Sequence, residues 1–305
     1  MNKLEANISL LAITFFSAIH FAFLNGDPES ISAFGYLAIT NLVGFLISVA
    51  FFYTEFLRID MRQIKQCLII SLELIIYNIA LSAGIAGIGA SMAAAVDVVY
   101  FVFIAVIIAV VFKQLPDRGQ ISGIILIASG LIMMMDIDFF ALWNKHVIYV
   151  IISDLAFASY IVSIWHYSKS SNPAILALGQ MFFCCVGGFI MWAIEVQFLG
   201  GSFNIPVTKY FWESVLYTAF FIRALYGFVQ VYAQRYVSPL NVAMIFSSEI
   251  VMTLFISPLL ASRFGVEAEE ITFVKVVGSV VLIFGLLMVE PEFIKLVRRI
   301  RNVRN

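Results

Sequence analysis

The stretch AMIFSSEIVMTLFI, Ala243 to Ile256, sets Glu249 among apolar residues, with Ser247 and Ser248 just before it. A second stretch, ASMAAAVDVVYFVFI from Ala90 to Ile104, sets Asp97 in a similar run, 152 positions earlier in a chain of 305. A carboxylate placed inside such a run carries the cost of leaving water. The spacing, close to half the chain, points to a sequence built twice.

Composition fixes the surroundings of these runs. Hydrophobic residues make up 62% of the sequence and charged residues 12%, and the mean hydropathy is +1.01; soluble domains are roughly half apolar and a quarter charged. This is the composition of an integral membrane protein. A net charge of −1 supplies no basic face for a phosphate backbone, so nucleic acid is not an expected partner. Cys67, Cys184 and Cys185 all stand in apolar runs, where a thiol behaves as a small hydrophobe and not as part of a disulfide framework. Lys3, the apolar run from Ile8 to Leu24 and the following NGDPES read as a first membrane helix and not as a cleaved signal peptide.

A hydrocarbon core of about 30 Å needs roughly 20 apolar residues per helix. The sequence offers ten such segments, at 8–24, 31–54, 66–86, 88–112, 119–137, 147–167, 174–199, 210–236, 239–262 and 271–290. They are much longer than the alternating strands of a membrane barrel. Lys and Arg collect in the loops of one side, at Lys3, Arg58, Arg62, Lys65, Lys113, Arg118, Lys169 and Arg235 and in the tail FIKLVRRIRNVRN, whereas the other side has Lys145, Lys209 and Arg263. Basic loops face the cytoplasm, so both termini are expected there, in a cell (inner) membrane. The tail reads first as a topology anchor, although it also has the composition of a phospholipid-binding element.

The halves repeat. GIILIASGLIMM from Gly123 and GSVVLIFGLLMV from Gly278 share paired glycines, Gly123 with Gly130 and Gly278 with Gly285. Residues seven apart share a helix face, so each pair makes a smooth groove for close helix approach. Packing within one chain is the first expectation for these grooves, and a homodimer contact the second. With five helices per half, the second copy enters the membrane from the opposite side. The expected fold is therefore an all-α integral membrane protein, ten transmembrane helices in two inverted five-helix repeats, 1–140 and 141–305. Such repeats carry secondary transporters, with the binding site between the halves at the midplane.

Depth follows from 1.5 Å of rise per residue. Glu249 lies ten residues beyond Pro239, Asp97 about nine beyond Ile88, taken as the start of the fourth helix, and Arg223 twelve before Arg235. All three fall near the bilayer centre, at about 2.5–3.5 kcal/mol each on insertion scales. They imply mutual pairing, a watery cavity, or both. Arg223, Gly227, Gln230 and Gln234 make one helical stripe, and the repeat offset maps it onto a second stripe of Ser71, Asn78 and Ser82, two matching walls. Glu73 and Tyr77 fall on the opposite face from Asn78. Tyr100 and Tyr226, one turn beyond Asp97 and Arg223, can line the same cavity or pack in the core. Asp154 and Glu195 read as structural or interfacial residues.

Two readings of the midplane charges remain open. They can be polar glue between helices, or Arg223 can hold a substrate carboxylate while Asp97 or Glu249 holds an amine or carries a proton. No His-Glu-x-x-His motif or cysteine pair supplies a metal site, and no glycine-rich phosphate loop or Gly-x-Ser-x-Gly elbow is present, so neither a cofactor nor an enzyme is expected.

The ends of the repeats, GASMAAAVDVVYFVFIAVIIAVVFKQLPDRGQISGIILIASGLIMM and NVAMIFSSEIVMTLFISPLLASRFGVEAEEITFVKVVGSVVLIFGLLMV, resemble the drug/metabolite transporter superfamily, specifically the ten-helix EamA-like proteins. In that family an acidic residue followed by proline often stands mid-way in the ninth helix, and a glutamate lies nine residues before the glycine of the tenth. Glu249 fits the first position with Ile250 in place of proline, and Glu269 fits the second; the first repeat has Val98 after Asp97 and Gln114 nine before Gly123. The resemblance implies a transporter of a small organic metabolite working by alternating access, driven by a coupling proton or an exchanged metabolite, with membrane lipid around it. Charges of both signs at the midplane favour an amino acid or similar amphoteric solute. The alternatives are a cationic aromatic compound such as S-adenosylmethionine, a vitamin or a drug, and, in another class, a non-transporting membrane scaffold.

Overall fold

The computed structural model describes residues 1–24, 31–88, 93, 96–134, 144–264 and 271–289. Among these residues the chain forms helices and no strand. They are α1 Lys3–Leu24, α2 Ala33–Phe56, α3 Met61–Ile88, α4 Tyr100–Val111, α5 Arg118–Met134, α6 Val147–Ser168 and α7 Pro173–Phe198. The continuous stretch Lys209–Ala233 is α8, followed by α9 Pro239–Phe264 and α10 Phe273–Val289. Among the described residues six stretches are long and apolar enough to cross a membrane: α2, α3, α6, α7, α8 and Pro239–Ile256 of α9. Glu269 and the basic tail lie outside the described residues.

Polar caps set where the helices begin. Asn2 and Glu5, Asp60 and Gln63, and Asp117 and Gln120 form reciprocal side-chain to backbone pairs at 2.7–3.0 Å, at the starts of α1, α3 and α5. Each satisfies amide groups that a helix start leaves open. Asn172, just before Pro173, does the same for α7 at 2.9 Å, and Ser238, just before Pro239, for α9 at 3.4 Å. Hydropathy alone misses these turns, so α1 and α3 start about five residues earlier than their apolar runs. In the fourth segment Ala93 and Val96 are helical, and a 3-10 turn at Asp97–Val99 leads into α4.

The helix starts just named share one end of the bundle with Arg58, Arg62, Lys65 and Lys169. There Arg62 donates to Ser170 Oγ at 3.4 Å, Ser171 Oγ to Gln66 at 2.6 Å, and Arg235 to the Ser168 carbonyl and, at 2.9 Å, to the Ser171 carbonyl. At the other end Ser32 donates to Glu195, and Trp192 Nε1 to the Ser202 carbonyl at 3.2 Å. Apolar side chains such as Leu46, Phe51, Leu72, Val106, Ile125 and Phe220 point outward, a surface that matches lipid and not water.

Helix pairing has an internal order. α3 packs on α6 as α8 packs on α1, α4 on α6 as α9 on α1, and α3 on α7 as α8 on α2; α2 meets α7, and α5 meets α10. In the last contact main chain faces main chain. A Cβ on Gly130 would sit 2.6 Å from the Gly278 carbonyl oxygen, one on Gly278 would sit 2.7 Å from that of Gly130, and one on Gly285 would sit 3.0 Å from that of Gly123. The four glycines thus face one another in antiparallel helices, backbone against backbone. Gly44 does similar work in α2, where a Cβ would meet Arg223 Cβ at 2.7 Å and the Ala219 carbonyl at 3.0 Å.

Gly130→Ala and Gly278→Ala should each lower stability by about 1–3 kcal/mol, because main-chain atoms must move to admit the methyl, and the double variant should fall short of the sum. Gly227→Ala, whose methyl meets nothing within 4 Å, should be neutral or stabilising by up to about 1 kcal/mol. Thermal denaturation in detergent separates the two; equal losses at all three positions would remove the glycine seam from the account of stability.

Candidate functional site

The middle of α8 is not α-helical. Thr218–Tyr226 is a π-helix between α-helical Lys209–Tyr217 and Gly227–Ala233, a rare geometry that recurs at functional sites. Arg223 lies in this segment. Its Nε donates to Thr40 Oγ1 of α2 at 3.3 Å, and its other neighbours in electrostatic reach are Cys184, Tyr36, Tyr160 and His20. Beside it Thr218, fully buried, bonds Tyr36 at 2.7 Å and His20 Nδ1 of α1 at 3.0 Å, and Tyr36 also meets Ser214 Oγ at 2.8 Å. This wall of hydroxyl groups contains no carboxylate.

The acidic side is a separate group. Glu249, on α9, accepts from Ser17 Oγ of α1 at 2.6 Å. The carboxyl groups of Asp97, in the turn before α4, and Asp154, on α6, lie at hydrogen-bonding distance from each other. Both oxygens of Asp154 and Oδ1 of Asp97 are buried without a donor. Two carboxyl groups in such contact need a proton or another cation between them, since an ionised carboxylate only accepts. Tyr77 of α3 and Tyr100 of α4 both have Asp97, Asp154 and Glu249 in electrostatic reach, and Tyr226 has Glu249. Phe157 stacks on Tyr77 with centroids 4.8 Å apart and meets Tyr100 edge-on at 5.3 Å. Among the described residues no group of three or more His, Cys, Asp or Glu side chains is disposed to hold a metal ion.

Between the two lies an amide network. Gln180 Nε2 of α7 donates to the Tyr160 hydroxyl of α6 at 2.9 Å, and that hydroxyl donates to Gln230 Oε1 of α8 at 3.2 Å. Gln234, one turn further, is fully buried, and both of its side-chain polar atoms lack a partner.

Among the residues singled out in the sequence, the structure gathers Asp97, Glu249, Tyr100 and Tyr226 on the acidic side. Arg223 stands apart from them, next to α2. Arg223 and Gln230 do not form one clean stripe, because the wide π turn advances less rotation per residue than an α turn; Arg223 bonds α2 and Gln230 bonds α6. Asn78 turns back on its own helix, Nδ2 to the Leu74 carbonyl at 2.7 Å, and Ser71 bonds the Cys67 and Gln180 carbonyls at 2.7 and 3.3 Å. It is the other face of α3 that meets the acids, through Tyr77. Glu73, on that face, accepts from Ser163 Oγ at 2.9 Å. Sequence reasoning did not name Tyr160 or Gln180, set Tyr77 on the face away from Asn78 and read Asp154 as structural or interfacial; the one available signal was Asp154 itself, an ionisable residue within an apolar run.

Residues 144–290 match the EamA-like transporter family. An uncharacterized transporter of Archaeoglobus fulgidus is 28% identical over 190 residues, 62% of this chain and 57% of that protein, so the match spans little more than half the length of the relative. A solved crystal structure superposes with a TM-score of 0.72 over 96% of this chain and 98% of its own, at 10% identity, which is a likeness of fold. These findings put an EamA-like transporter domain in residues 144–290 and support membership of the drug/metabolite transporter superfamily, for a chain whose apolar helices are those of a multi-pass membrane protein.

Proposed function

We propose that this protein is a secondary transporter that moves a small amphoteric metabolite, an amino acid or a solute like it, by alternating access between two inverted halves, 1–140 and 141–305. The observation that carries this reading is the charge arrangement: Arg223 on one side of the interior, Asp97, Asp154 and Glu249 on the other, and no ion pair within 4 Å for any of the four among the described residues. Charges that merely tied helices together would be paired with one another. Left apart, they are matched by a solute with an anionic group for Arg223 and a cationic group for the carboxyls. A proton or an exchanged solute held by the carboxyls would supply the coupling.

The pairing order supports inverted halves. Each helix of the first five has its counterpart five helices on, running the opposite way, and exchanging the two sets carries the contacts of α3 with α6 and α7 onto those of α8 with α1 and α2. On this reading all ten helices span the membrane, and the basic end faces the cytoplasm of an inner membrane with both termini. The glycine seam is filled from within the chain, so the reading needs no second copy at those grooves. A cationic aromatic solute is the second reading, favoured by the Tyr77, Tyr100 and Phe157 rings beside the carboxyls.

Arg223→Gln and Glu249→Gln, tested by thermal shift of the purified protein against amino acids, nucleosides, vitamins and S-adenosylmethionine, separate these readings. An amphoteric ligand should lose roughly ten- to a hundredfold in affinity in either variant, the value of a charged hydrogen bond. Loss in Glu249→Gln alone would select the cationic solute, and no ligand from any class would return weight to a scaffold. Orientation has its own test. The native cysteines are 0–7% exposed, so Lys209→Cys should react with a membrane-impermeant maleimide in intact cells and Lys169→Cys only after permeabilisation; the reverse order would invert the topology.

A further inference from the structure

Tyr160, Gln180 and Gln230 come from three different helices and are 3%, 9% and 1% exposed. The phenol takes one hydrogen bond from Gln180 and gives one to Gln230, which leaves Gln180 Oε1 and Gln230 Nε2 buried with no partner. The balance does not depend on how the amides are turned. With both reversed, Gln230 donates to the phenol and the phenol to Gln180, and the unused atoms become Gln180 Nε2 and Gln230 Oε1. In either orientation one donor and one acceptor are unfilled, one on each of the two glutamines that bond the hydroxyl group. Gln234, a turn beyond Gln230, adds another of each.

From this we infer that Gln180 and Gln230 form a subsite for a neutral planar group that carries a donor and an acceptor side by side, and that the transported solute bears a carboxamide or a ureide-like group. The inference rests on the transporter reading above and narrows its substrate class. A carboxylate brings two acceptors and leaves the amide oxygen facing another oxygen. An ammonium brings only donors and fails the amide nitrogen. A hydrocarbon fills neither, and an unmade hydrogen bond in a buried site is costly. Tyr160 is in electrostatic reach of Arg223, so one solute can present its anionic group to Arg223 and its neutral polar group to the amide pair.

The test compares binding of radiolabelled glutamine, glutamate and norleucine to the purified full-length protein by equilibrium dialysis, in the native chain, Gln230→Leu and Tyr160→Phe. Native protein should prefer glutamine to norleucine and to glutamate by at least about tenfold, what one unmade buried hydrogen bond gives. In Gln230→Leu the ratio to norleucine should fall to about one while binding of norleucine persists, which also shows that the variant is folded. Tyr160→Phe, which keeps the ring and frees both amides, should lower the same ratio. Binding of all three solutes with equal affinity in native protein, or a ratio unchanged in both variants, would leave the glutamines holding internal water only and overturn the subsite while sparing the amphoteric transporter. Binding of none of the three would overturn both.

Discussion

Four ionisable groups inside a membrane bundle, with no salt bridge among them, impose a constraint that the rest of the structure serves. Each costs several kcal/mol in hydrocarbon, so each must be given polar surroundings by other helices. Arg223 receives them from α2 through Thr40 and from the hydroxyl wall of Tyr36, Thr218 and His20. Glu249 receives Ser17 from α1, and Asp97 and Asp154 share each other. These partners lie far apart in sequence. Only the bundle brings them together, so the charges bind the fold to one arrangement of helices as firmly as the apolar contacts do.

Much of this was legible in the sequence because membrane helices obey simple rules of length and hydropathy. The positions of the apolar segments, the basic end, the glycine pairs of α5 and α10 and the placing of Asp97, Glu249 and Arg223 within apolar runs all follow from rules that read one segment at a time. What escaped depends on geometry between segments. A stripe drawn at regular helical spacing cannot anticipate the π segment at Thr218–Tyr226, which moves Arg223 relative to Gln230. The face of α3 is a similar case. Ser71 and Asn78 look like the functional face by polarity, yet their groups are used by main-chain carbonyls, whereas Tyr77, an aromatic that reads as core, faces three carboxyls. Asp154, read one segment at a time, is structural or interfacial; its place beside Asp97 depends on how two helices pack.

The helix contacts divide into two physical kinds. Along α5 and α10, carbonyl oxygens approach the opposing glycines so closely that a methyl group would collide with main chain; the contact is dispersion over bare backbone and has one good geometry. Between α8 and its neighbours, apart from the close approach of Gly44 to Ala219 and Arg223, the contact is made by side chains that can trade partners: hydroxyls of Tyr36, Thr218 and Ser214, the Tyr160 phenol, and amides with unused atoms.

This division places rigidity and adaptability where an alternating structure would need them. A seam of backbone contacts cannot slide without opening voids or clashes, so α5 and α10 are suited to hold the halves together as a fixed axis. A seam of hydroxyl and amide groups can be rearranged at little cost, because each group lost to one partner finds another within the same interior, and the net value of one such exchange is about 1 kcal/mol or less. The π segment adds to this. Its wider turn sets Arg223 at a different angle to α2 than a regular helix would. Arg223, the soft hydrogen bonds and the π segment thus meet at α8, while the backbone-to-backbone seam lies in a different pair of helices.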